Sequence, residues 1–137
     1  MTVSFTLEGD VSAADTEVQL TTQGSVSSPA LTLPSGFRVI KTIIASIGID
    51  HAAAGSAIFL LRLRGTGIKN GEQVLTLAAA GGQAAQSGGD PSGQSMAPII
   101  INDVDIEITP PDSVTIAVES AGSDLGDAGI AITLILA

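Results

Sequence analysis

The sequence predicts an all-β fold, an antiparallel β-sandwich of about eight strands, for which a jelly roll is the favoured topology and a barrel the alternative closure. Apolar residues recur with a period of two in short segments, and no segment carries a persuasive helical period. Gly, Pro, Asn and Asp clusters separate those segments at short intervals. The chain has 137 residues, of which 45% are hydrophobic, enough for one core and hence for one domain over 1–137.

The elements follow in order. Val3, Phe5 and Leu7 alternate with Thr2, Ser4 and Thr6, and Val18 and Leu20 alternate with Glu17, Gln19 and Thr21, giving two half-buried strands. Leu31 and Leu33 make a short piece that Pro34-Ser35-Gly36 ends before the longer run from Phe37 to Ile49. Ala57 to Leu63 is the next strand, and Gly65, Gly67 and Asn70-Gly71 close it. Asn70-Gly71 suits a hairpin whose central residues need φ > 0, with Val74 to Leu77 beginning the return strand. Val104, Ile106 and Ile108 then alternate with Asp103, Asp105 and Glu107, and Pro110-Pro111-Asp112 turns the chain into Val114, Ile116 and Val118. Those two segments read as a hairpin with one wet face.

Residues 78–98, AAAGGQAAQSGGDPSGQSMAP, form the one long connection, rich in Gly, Ala, Ser and Gln. Their composition predicts a flexible loop, either disordered in the isolated protein or acting as an arm that orders against a neighbour. The last strand, from Ile130 to Ala137, is apolar on both faces, which places it centrally in a sheet or under a partner. Ile130, Ile132, Leu134 and Ile135 are therefore candidates for a subunit interface.

Charge narrows the function classes. The net charge is −9, the five basic residues Arg38, Lys41, Arg62, Arg64 and Lys69 lie within 38–69, and residues 70–137 hold nine acids and no base. Such a chain repels phosphate backbones, and without Trp or Tyr it has little on which to stack bases, so nucleic acid is not an expected partner. The acid excess serves solubility; a sharper reading sets the Arg62/Arg64 strand against an acidic face of a neighbouring subunit. No apolar run reaches the length of a membrane-spanning helix, and the N-terminal residues lack the cationic start of a secretory signal, so folding in the cytoplasm is expected.

Side chains that perform chemistry are scarce: Cys, Trp and Tyr are absent and His51 is the single histidine. Asp50 and His51 with a serine would be a triad in name only, because sequence neighbours seldom form one and no Gly-x-Ser-x-Gly elbow is present. No enzyme, no catalytic residue and no cofactor is expected. Asp103, Asp105 and Glu107 share one strand face at about 7 Å spacing and are weak calcium candidates beside the default of a solvated acidic face. Asp124 and Asp127 lack the spacing of a calcium loop. Phe5, Phe37 and Phe59 all sit in apolar strand patterns and suit the core, not a sugar platform.

The segment IEITPPDSVTIAVESAG, the Gly/Asp turn after it and the terminal strand AGIAITLILA resemble the closing strands of small jelly-roll proteins of viral shells, among them phage decoration (cement) proteins and small capsid proteins. The long apolar central strand, the His-Ala-Ala-Ala-Gly turn and the LRLRGTGIKNGEQ hairpin are compatible with that plan, so the resemblance spans 37–137. It implies a symmetric homo-oligomer, a trimer favoured, that binds a major capsid protein lattice and stabilises it within the virion. It transfers no individual residue roles. The reading from another class is a β-sandwich binding module, adhesin-like or carbohydrate-binding, with calcium dependence as its mark.

Overall fold

The computed structural model describes residues 1–11, 16–22, 30–49, 55–82, 94–95, 98–120 and 128–137. Within them, β1 (Val3–Val11), β5 (Val39–Ile49), β9 (Ile99–Glu107) and β11 (Ala128–Leu136) build one sheet, with the short β3 (Thr21–Thr22) beside β1 and β8 (Gln94–Ser95) beside β5. The second sheet consists of β6 (Gly55–Arg64), β7 (Glu72–Gly82) and β10 (Ser113–Ser120), with β2 (Glu17–Gln19) and β4 (Ala30–Thr32) sharing the far side of β10. Every pairing is antiparallel.

The strand order is that of a jelly roll. The first sheet runs β1-β11-β5-β9 and the second β2/β4-β10-β6-β7, so β2 and β4 act as one interrupted strand, and with it the successive long strands cross between sheets except at the β6–β7 pair, as two Greek keys require. Period-two burial drives this arrangement. Leu7, Ile43, Ile132 and Leu134 of the first sheet and Phe59, Leu61, Leu77, Ile116 and Val118 of the second are buried in one cluster between them. Phe5 and Phe37 are half-buried against that cluster.

Three expectations change. The segments on either side of Pro110-Pro111 do not form a hairpin: β9 belongs to the first sheet and β10 to the second, so this turn carries the chain across the sandwich. The corner is closed instead by the 65–71 connection, through Lys69 N–H to Glu107 O at 3.1 Å, Thr109 N–H to Gly67 O at 2.8 Å and Gly67 N–H to Ser113 O at 3.1 Å. Asn70 and Gly71 do have positive φ, 68° and 81°, but they end this longer connection between Arg64 and Glu72 rather than forming a two-residue turn. Finally, the segment 78–98 is not all loop, since β7 continues to Gly82 and Gln94–Ser95 pairs with β5; residues 83–93 and 96–97 lie outside the described residues.

Candidate functional site

The two outer faces of the sandwich and a bulge at one sheet edge hold the surface features that sequence reading singled out. On the outer face of the second sheet, Arg62 and Arg64 alternate with the core residues Leu61 and Leu63 of β6. Arg64 donates from Nε to Glu72 Oε2 at 2.5 Å on the strand beside it and also pairs with Glu17 of β2, while Arg62 Nη2 lies 3.7 Å from Glu119 Oε2 of β10. Within the chain, the acids that meet these arginines thus belong to their own sheet. Ala117 faces outward in register with Arg62, and the stem of that arginine explains why so small a residue is buried there.

The Arg64 guanidinium holds the Glu72 carboxyl below its ordinary 4.5, mainly through the hydrogen bond. A lowered folded pKa contributes stability that is complete above the unfolded value and is lost as pH falls through the folded value. Glu72→Gln is therefore expected to leave stability nearly unchanged in strong acid and to lower it slightly at neutral pH, since exposed ion pairs contribute little. Urea midpoints measured across the acid range check this; an equal loss at every pH would show that the carboxylate's charge is not the cause.

The Asp103, Asp105 and Glu107 set is reorganised by a bulge. Ile40 pairs with Ile106 and Thr42 with Asn102, so Asp103, Val104 and Asp105 face the single residue Lys41. Asp103 and Asp105 reach this shape with φ of 56° and 47°, a left-handed conformation that aspartate tolerates better than most residues. Lys41 Nζ then sits 2.9 Å from Asp103 Oδ1 and 3.0 Å from Asp105 Oδ1, and Glu107 Oε2 lies 2.6 Å from Lys69 Nζ. Its hydrogen bonds to the two aspartate carboxylates raise the pKa of the Lys41 ammonium above its ordinary 10.5. Asp103 and Asp105 thus converge on the Lys41 ammonium while Glu107 pairs with Lys69, and among the described residues no group of three or more potential metal ligands gathers.

Ile130, Ile132 and Leu134, expected at a subunit interface, face the interior and are buried in the chain's own core, at 2%, 0% and 0% exposure. Their strand is apolar on both faces because β11 lies between β1 and β5 and its outer side carries Ala131, Thr133 and Ile135. Ile135 alone of the four points outward and is half-buried. It belongs to a cluster that the sequence reading did not single out. Ile44 of β5 pairs directly with Ile100 of β9, and Ile135 pairs with Thr42, two residues along β5 from Ile44. Ile100 is 57% exposed. Around the three isoleucines lie Thr6 and Thr133, whose hydroxyls bond at 2.9 Å, and Thr42, which donates to Asn102 Oδ1 at 3.4 Å. One signal was available: consecutive residues Ile99, Ile100 and Ile101 cannot all face inward in a strand of period two.

An open depression of about 810 Å³ lies toward the end of the same face, between Glu8, Asp10, Thr21, Ser46 and Pro98. Asp50, His51, Asp124 and Asp127 lie outside the described residues. Among the described residues no helix is long and apolar enough to cross a membrane.

No protein-family model and no curated protein matches the chain. Among solved structures it is similar to three of infectious bursal disease virus: that of the Gx strain (14% identity, TM-score 0.35), the VP2 subviral particle (12%, 0.32) and T=1 particles derived from a VP2 mutant (15%, 0.34). The matches cover 98–99% of this chain and 35–36% of the others, so the chain spans about a third of their length. Overlap at this level assigns no residue a role.

Proposed function

We propose that this chain is a non-enzymatic structural protein that assembles with copies of itself into a symmetric oligomer, with a trimer as the favoured state. In this reading it is a decoration or small capsid protein that stabilises a virus shell by adding contact area on the major capsid protein lattice, and its place is the virion. The observation that carries self-association is the outward cluster of Ile44, Ile100 and Ile135 in a setting of threonines and Asn102. An exposed apolar centre with a polar, hydrogen-bonded margin has the makeup of a protein interface. Beside it, Lys41, Arg62, Arg64 and Lys69 are all engaged by carboxylates of the same chain, so these four cations serve the sheets that carry them. The viral assignment is supported by the resemblance of the closing strands and by the jelly-roll order, a plan used in capsids and also in lectins.

The test is solution mass by light scattering on the parent and on Ile100→Lys with Ile135→Lys. The parent is expected as a closed oligomer, and the double variant as a protein with unchanged circular dichroism whose association is weaker by about tenfold or more. A parent that is monomeric at every concentration, or a double variant that assembles as well as the parent, overturns the reading.

A further inference from the structure

We infer that β7 is an open sheet edge that pairs, antiparallel and about a two-fold axis, with β7 of a second copy of this chain. The inference rests on the proposal that the chain self-associates, and it names a contact separate from the isoleucine face: a two-fold contact has no place inside a trimer, so it joins one trimer to another. Among the described residues β7 is paired on one side only, to β6, so along its other side backbone N–H and C=O groups have no strand to meet.

The other edges are blunted. β9 is bent by two left-handed residues and carries Asp103, Asp105 and Glu107 along its length. β3 and β8 have two residues each, and β2 and β4 three each. Short strands, bulges and charges are the devices by which sheet edges avoid pairing. β7 has none of them: it runs for 11 residues as EQVLTLAAAGG, without Pro or Lys, and its one charge, Glu72, is matched by Arg64.

Charge also selects the occupant. At −9, two copies repel wherever their acids meet, and the β7 edge is a stretch where they do not. Pairing about an axis through Leu77, the middle of the strand, sets Glu72 of one copy opposite Gly82 of the other, so the like charges stand at opposite ends. The same edge serves both copies, as a two-fold contact requires. A cationic partner would find nothing to hold along this strand, whereas a second β7 satisfies its backbone groups over its whole length.

The chain has no cysteine, so single introduced cysteines report the contact directly. Positions 73–79 are replaced one at a time, with exposed Ser35→Cys as the reference, and the rate of covalent dimer formation under mild oxidation is measured. The position on the axis is expected to cross-link at least about tenfold faster than the reference, because only directly opposed residues come within disulfide reach. Val74→Lys with Thr76→Lys, both on the exposed side, is expected to keep the fold and to abolish that cross-link when added to the best cysteine variant. No position faster than Ser35→Cys, in a protein that still forms its oligomer, overturns the edge contact and leaves the isoleucine face standing. Cross-linking that persists in Ile100→Lys with Ile135→Lys supports the edge as an independent contact. A parent that is monomeric at every concentration overturns both.

Discussion

Ile132→Asp is expected to abolish folding. Ile132 is fully buried between the sheets, beside Leu134 and among the side chains of both layers, and a carboxylate there has no cation to meet. Burying an unpaired charge, or protonating it and leaving a cavity, costs about 4 kcal/mol or more, a large part of the stability of a domain this size. The milder Ile132→Ala removes buried methyl groups without adding a polar one and is expected to cost about 2–5 kcal/mol in a urea titration. Ile135→Asp, three residues further along the strand and therefore on the outer face, is expected to fold normally. The comparison separates two roles for one strand. Were Ile132 an interface residue, Ile132→Asp would be a folded protein that fails to assemble, and circular dichroism with a cooperative urea transition would reveal it.

Gly65→Ala is expected to be the most damaging single-methyl change, at about 2–4 kcal/mol. Gly65 has φ of +129°, which disfavours any side chain, and a Cβ there would stand 2.6 Å from the carbonyl oxygen of Ser113. That oxygen cannot retreat easily, because it accepts from Gly67 N–H at the corner where β6, β7 and β10 meet. Gly36→Ala is the control: its φ of +96° is also unfavourable, but nothing lies within 4 Å of the added carbon. It is expected to cost about 1 kcal/mol from backbone conformation alone. A thermal midpoint lowered equally by both changes would show that the close approach to Ser113 adds nothing.

Much of the fold was legible because period-two alternation reports which side of a strand faces water. The strands around Phe5, Val18, Leu31, Ile43, Leu61, Val104, Ile116 and Ile132 all lie where the alternation sets them. The surface was less legible, because an outward apolar residue and an inward one look alike in a run such as Ile43-Ile44 or Ile99-Ile100-Ile101. The bulge at Asp103 to Asp105 was also hidden. A regular strand would space those carboxylates evenly, while two left-handed residues turn both toward Lys41, more than sixty positions earlier.

The sequence by itself determined the all-β class, the positions of most strands and the scarcity of catalytic side chains, since each depends on composition or on local periodicity. Only the tertiary structure decided which face of β11 is interior, which carboxylates hold Lys41, Arg62, Arg64 and Lys69, and that the Pro110-Pro111 turn crosses between sheets. These depend on which strands become neighbours. In a jelly roll those neighbours are far apart along the chain, so short-range pattern carries no record of them.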